Sequence, residues 1–234
     1  MADLVTYTLE NKTAILQMDD GKANALSKPM IDALLAALTR AEQEASAAVL
    51  VGRPERFCAG FDLRVMMSGP EQAKDLLRAG SELLMRLYAA QVPLVIACTG
   101  HALAGGALVV LTGDYRIGAI GPFKLGLNEV SIGLPVPVLA MELARDRLVA
   151  TELVRATLLA QIYEPEGARK AGYLDAVVAP DAVLETAKAE AARLGALASA
   201  PFRATKARLR GKTIAYINAQ MDADMRDIMT PTRA

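Results

Sequence analysis

The chain has 234 residues, 53% of them hydrophobic and 22% charged, so burying a sizeable core poses no difficulty. Its 26 acidic and 26 basic side chains cancel, with no basic face of the kind that nucleic acid or an anionic membrane requires. Cys58 and Cys98 give neither a zinc spacing nor a disulfide framework. No signal-like start occurs at Met1-Ala2-Asp3-Leu4 and no apolar run is long enough for a bilayer, so a cytoplasmic protein is expected.

Two β-like runs open the chain, Val5–Leu9 and Ala14–Met18, with Glu10-Asn11-Lys12 as the turn between them. Ser27 can cap a helix whose second position is Pro29, and Met30, Ile31, Leu34, Leu35 and Leu38 follow at helical spacing. Ala48–Val51, bounded by Gly52 and Pro54, reads as a buried strand. A polar helix follows over Glu71–Tyr88, then a second buried strand over Pro93–Cys98. Buried strands alternating with helices imply an α/β class with a parallel sheet. Beyond Val138 Ala-rich helices take over, among them Leu153–Gln161 and Ala187–Leu197, with one short extended piece at Val177-Val178. These late helices cover either their own domain or other subunits.

Two Gly-containing turns are candidates for chemistry. Ala59-Gly60-Phe61-Asp62 follows the Val49 strand and can leave the N–H of Phe61 aimed at a ligand; the plainer reading is a strand-to-helix turn with Asp62 as cap. Ala104-Gly105-Gly106 follows the Leu94 strand and begins an apolar helix, where exposed N–H groups favour negative charge; the plainer reading is a tightly packed helix entry. Neither a dinucleotide fingerprint nor a Walker lysine motif is present. Together the two turns could converge on one thioester oxygen. Glu129 then stands in a segment otherwise made mostly of Gly, Leu, Val and Ile, where a carboxylate is either costly or a tuned acid/base. His101, the only histidine, reads as a core or supporting residue, and Met66-Met67 as flexible apolar packing with acyl contact as the alternative.

The motifs Phe57-Cys58-Ala59-Gly60-Phe61-Asp62-Leu63, Gly100 to Gly106, Asp114-Tyr115-Arg116 and Gly126-Leu127-Asn128-Glu129, in that order, resemble the crotonase (enoyl-CoA hydratase/isomerase) superfamily. The resemblance runs from Lys22-Ala23-Asn24-Ala25-Leu26 into the helical C-terminal part. It implies a spiral of ββα turns over residues 1–180, a helical trimerisation region over 181–234, and a homotrimer or dimer of trimers acting on an acyl-CoA thioester. It also implies an oxyanion hole from the N–H groups of Phe61 and Gly105. Lys22, Ala23, Ala25, Ala59, Phe61, Gly105 and Leu108 would meet the substrate. No metal or redox cofactor is needed, because coenzyme A belongs to the substrate.

Hydratases of this superfamily carry two glutamates. Here Leu108 occupies the first position and Glu129 the second. Hydration needs a water attacking C3 and a proton at C2, whereas moving a double bond from C3 to C2 needs a single base. One carboxylate opposite Leu108 therefore resembles the Δ3,Δ2-enoyl-CoA isomerases, with Glu129 as base. Asp62 and Asp114 match structural positions. Lys206, Arg208, Arg210 and Lys212 are candidates for the coenzyme's phosphates, with solvated surface charge as their ordinary reading. The rivals are an enoyl-CoA hydratase and a catalytically silent acyl-CoA-binding protein.

Overall fold

Alternating side chains in Val5–Glu10 (β1) and Thr13–Met18 (β2) form an antiparallel hairpin that buries most of β2. The reversal is made by Asn11 and Lys12, both at positive φ (47° and 65°), as two-residue hairpin turns require. The chain is described here by a computed structural model covering residues 3–229. The expectation drawn on Met1 and Ala2, and the end of the 181–234 region, lie outside those residues.

Ser27 begins helix Lys28–Glu44 (α1), its hydroxyl oxygen accepting the Met30 N–H at 3.4 Å, with Pro29 in the first turn. Met30, Ile31, Leu34, Leu38 and Ala41 recur on the face that is buried.

Three ββα turns follow. The first is Ala47–Val51 (β3), Glu55–Cys58 (β4) and helices Leu63–Met66 (α2) and Pro70–Tyr88 (α3). The second is Leu94–Cys98 (β5), Gly100–Leu103 (β6) and Gly105–Thr112 (α4). The third is Tyr115–Ala119 (β7), Leu125–Gly126 (β8) and Val138–Arg147 (α5). Leu153–Ala156 (α6), Pro165–Ala171 (α7), Ala176–Val178 (β9), Val183–Gly195 (α8) and Ser199–Met229 (α9) complete the order.

The first strand of each turn enters a six-stranded sheet, β1-β2-β3-β5-β7-β9, parallel except for the hairpin. The second strand of each enters a separate three-stranded parallel sheet, β4-β6-β8. This is the expected spiral of ββα turns. β3 and β5 are wholly buried, which is why they read as continuous apolar runs. Helix α8 lies against β3, β5 and β7 with Val183, Ala187 and Ala191 fully buried.

Two expectations are corrected. Leu153–Gln161 is not one helix. It stops at Ala156, where the buried Thr157 turns its hydroxyl back onto the Leu153 carbonyl (2.7 Å), and the chain reverses through Ala160 at φ 48°. Among the four C-terminal basic residues, Arg208 and Lys212 are exposed, but Lys206 and Arg210 are buried and face the protein. Lys206 Nζ lies 2.7 Å from Asp114 Oδ2, and Arg210 Nη2 lies 2.9 Å from Asp114 Oδ1. Arg210 also donates to the Tyr88 carbonyl (2.7 Å) and stacks its guanidinium 4.2 Å from the Tyr88 ring. Asp114 completes its shell by accepting the Leu94 N–H at 2.8 Å. Burial presses the Lys206 ammonium down to about 8, against the pull of Asp114. These two cations are unavailable to a phosphate; they fasten α9 to the sheet.

Asp114→Asn leaves Lys206 and Arg210 buried without a counter-charge. A loss of ~3–5 kcal/mol is expected in urea unfolding, the range for breaking a buried ion pair from one side. A loss below ~1 kcal/mol, the size of a surface pair, would show that the cluster does not anchor α9.

Candidate active site

The three strands of the small sheet end at one edge, and each delivers one candidate residue just beyond it. Phe61 comes three residues after Cys58 ends β4, Gly105 two after Leu103 ends β6, and Glu129 three after Gly126 ends β8. Parallel pairing of β4 with β6 and β6 with β8 sets those ends side by side. The C-terminal edge of parallel strands is where α/β folds place ligands. The Ala104 N–H donates to the Gly126 carbonyl (3.0 Å), tying the loop that carries Gly105 to the one that carries Glu129.

The N–H of Phe61 is directed by its pairing. In the parallel bridge to Leu26, the bonds run from Leu26 N–H to the Gly60 carbonyl (2.8 Å) and from Asp62 N–H to the Leu26 carbonyl (3.2 Å). The N–H of the residue between them points to the other side of its strand. Gly105 is the first residue of α4, so its N–H has no carbonyl four residues back within the helix. Ala104, at φ 47° and ψ −120°, brings the chain into that helix without a side-chain cap. A strained residue of this kind persists where surrounding contacts over-determine it.

Close approach holds the two loops together. A Cβ on Gly106 would fall 2.0 Å from the Cys58 carbonyl oxygen, and one on Gly60 would fall 3.0 Å from the Leu103 oxygen and 3.3 Å from the Gly105 nitrogen. Gly60 also needs its positive φ of 94°. The Phe61 ring fills the space beside Gly105 and reaches across to Gly80 on α3.

Asn24 has a structural role that its place in the Lys22–Leu26 motif does not announce. It is fully buried at φ 52°, and its amide donates to the carbonyls of Met18 (3.1 Å), Arg56 (3.2 Å) and Phe57 (3.2 Å). This post pins the Lys22–Ala25 segment beside the end of β4, where the Ala59 N–H bonds to the Ala23 carbonyl at 3.0 Å. Lys22, Ala23 and Ala25 then line an open cleft with Asp62 and Arg64. The positive φ usual for Asn or Gly was the sequence signal available for Asn24.

Glu129 is 7% exposed, and its Oε2 is buried without a hydrogen-bond partner. Burial pushes its carboxyl above the ordinary glutamate value. The hydroxyl of Tyr173 is likewise buried without a partner, and burial together with the Tyr163 and Glu129 charges raises its phenol, keeping it neutral. Leu108 is buried on α4 and lines a second, apolar cavity together with the Phe61 ring.

The other candidates take supporting places. Asp62 caps α2, accepting the Arg64 N–H at 2.9 Å. His101 Nδ1 accepts the Lys124 N–H at 3.0 Å and its ring meets Phe123 edge-on, a supporting role as expected. Met67 is 84% exposed, contrary to the apolar-packing expectation, while Met66 lies against the core.

Glu129→Gln removes a charge that burial disfavours. Because the folded pKa lies above the unfolded one, Glu129 costs stability as pH rises through the folded value and costs nothing below the unfolded value. The variant is expected to melt higher than wild type at pH 7 and level with it near pH 4. Equal melting at both pH values would show Glu129 to be solvated. Gly106→Ala forces a Cβ against a backbone carbonyl and is expected to cost ~1–3 kcal/mol in the same unfolding measurement. A neutral effect would mean the two loops are not in forced contact.

A family model described as enoyl-CoA hydratase/isomerase matches residues 8–232. The chain is 31% identical over 222 residues to human "Enoyl-CoA delta isomerase 1, mitochondrial", covering 93% of this chain and 74% of that protein. It is 32% identical over 195 residues to "Putative enoyl-CoA hydratase" of Thermus thermophilus, covering 80% and 76%. The crystal structure of an enoyl-CoA hydratase/isomerase family protein from Pseudomonas syringae superposes with a TM-score of 0.94 at 39% identity, covering 97% of this chain and 98% of that one. With its spiral of ββα turns and this match along nearly its whole length, the chain belongs to the enoyl-CoA hydratase/isomerase family.

Proposed function

We propose that this protein is a Δ3,Δ2-enoyl-CoA isomerase, moving a C3 double bond of an acyl-CoA to C2 with one carboxylate. The observation that carries the reading is the pairing of a buried, unpartnered Glu129 with an apolar Leu108 where a second carboxylate would stand. In this reading the thioester oxygen accepts hydrogen bonds from the N–H groups of Phe61 and Gly105. Coenzyme A lies along the cleft of Lys22, Ala23 and Ala25, beside Ala59, whose N–H bonds the Ala23 carbonyl. Glu129 takes a proton from C2, and the negative charge spreads through the dienolate to the thioester oxygen, where the two N–H groups hold it. The double bond shifts from C3–C4 to C2–C3 as Glu129 returns the proton to C4, so the carboxylate is regenerated and no water is consumed. Cytoplasmic placement and trimeric assembly belong to the same proposal. The free, buried thiols of Cys58 and Cys98 suit a reducing compartment.

A second reading, a hydratase, has one observation in its favour. Asp224 of α9 lines the same cavity as Phe61 and Leu108, and burial raises its carboxyl. Its Oδ2 is committed to the Val138 N–H at 2.8 Å, which favours a structural role.

Purified protein given 3-enoyl-CoA and 2-enoyl-CoA separately should convert the first to 2-enoyl-CoA and leave the second unhydrated. Glu129→Gln should lower isomerisation at least ~10²-fold, the lower end of general acid/base contributions, with acyl-CoA affinity nearly unchanged. Faster formation of 3-hydroxyacyl-CoA than of isomer would select the hydratase. Turnover of neither compound, with acyl-CoA still bound, would select the silent binding protein.

The base must be ionised to act, and burial raises its pKa above the ordinary glutamate value of 4.5. kcat/KM should therefore fall with decreasing pH along a limb centred above that value, and Glu129→Gln should lack the limb. A wild-type limb at or below 4.5 would contradict a buried base.

A further inference from the structure

We propose that α9 makes this a site for short acyl chains, with Met221 and Met225 setting the limit; the proposal rests on the acyl-CoA reading above and names its substrate class. The cavity that opens past the Phe61 ring and Leu108 continues under Leu84 and is closed by Ile217, Met221 and Met225. Met225 and Ile217 are almost wholly buried, so they form a wall rather than a rim. The free volume that this wall leaves in the cavity is ≈ 30 Å³. A single water needs roughly 10–15 Å³ of such space, so only about two or three groups of that size fit beyond the reacting carbons.

The wall is fastened on both sides. Asp224 Oδ2 accepts the Val138 N–H at the start of α5 (2.8 Å), and Asp222 pairs with Arg78 of α3 at 2.7 Å. Further back, Lys206 and Arg210 hold the same helix to Asp114. The Asp222–Arg78 pair is exposed and adds little, so the bond to Val138 and the buried Asp114 cluster are what make it costly for the helix to swing away and admit a longer chain. The thioether side chains of Met221 and Met225 fill the remaining space and are the atoms an extending acyl chain would meet. With C1 to C4 occupied between the N–H pair and Glu129, the cavity accommodates an acyl group of about six carbons.

Saturated acyl-CoA thioesters carry no double bond to shift, so their binding reads the cavity independently of any catalysis. Dissociation constants for the four-, six-, eight- and ten-carbon thioesters should tighten from four carbons to six and then level off or weaken. Met221→Ala combined with Met225→Ala should extend the tightening to eight or ten carbons, at roughly fourfold per added methylene buried. Ser81→Val, which narrows the same cavity from α3, should move the break down toward four carbons. The four-carbon affinity and the far-ultraviolet spectrum report whether each variant is folded. If the methionine variant is not, Ser81→Val alone decides. Wild-type affinity that keeps rising through ten carbons, or a break that no folded variant moves, would overturn the proposal. Those outcomes leave the isomerase reading standing, whereas a protein that isomerises nothing but shows the predicted break would overturn only that reading.

Discussion

Cys58 sets its carbonyl against the Cα of Gly106, and the rest of the site depends on that approach. On either side of it, Phe61 and Gly105 have N–H groups without a strand or helix partner among the described residues. Any side chain at Gly106 would wedge the β4 and β6 loops apart, since a backbone carbonyl has no alternative position without breaking its strand. The same approach explains the strain at Ala104. Its unusual dihedrals are held by the Gly126 carbonyl on one side and Gly60 on the other. In the proposed reaction, two preorganised N–H groups would need no rearrangement as charge develops on an oxygen between them, which would give this rigidity a chemical use.

Glu129 carries the opposite kind of cost. It is buried without a partner for Oε2, a state that destabilises the fold whenever the group is ionised. In the proposed reaction the same burial serves the chemistry, since it keeps Glu129 weakly solvated as a base and raises its pKa. Helix α9 contributes in two ways. Its first half is fixed through the Asp114 cluster, and its second half closes the apolar cavity beyond Leu108.

Much of this was legible in the residues. Ser27 with Pro29 marked the start of α1, and the apolar runs at Ala48–Val51 and Pro93–Cys98 marked the central strands, because strands buried on both faces leave a continuous apolar trace. The Gly105-Gly106 pair marked the start of α4 for the same reason that the structure needs it. The strands of the second sheet left no such trace. β4, β6 and β8 are four residues or fewer, and their pairing is decided by close backbone approach rather than by an apolar pattern. β7 hides because Gly118 interrupts its run. Nothing local in the sequence separates Lys206 and Arg210 from phosphate ligands or surface charge, because their partner, Asp114, stands about ninety residues earlier in the chain. The expected helix is broken beyond Thr157, whose hydroxyl bonds back to Leu153, and the chain leaves the helical path at Ala160 with its positive φ, which propensity alone does not forecast.

The central claim is that a single, nearly dry carboxylate moves one proton between C2 and C4. A 3-enoyl-CoA labelled with deuterium at C2 tests this directly, by measuring where the label stands after one turnover. Because Glu129 is only 7% exposed, a measurable share of the deuterium should appear at C4 of the 2-enoyl product before solvent replaces it. Isomerised product whose C4 carries only solvent hydrogen, even at the shortest reaction times, would mean that different groups remove and return the proton.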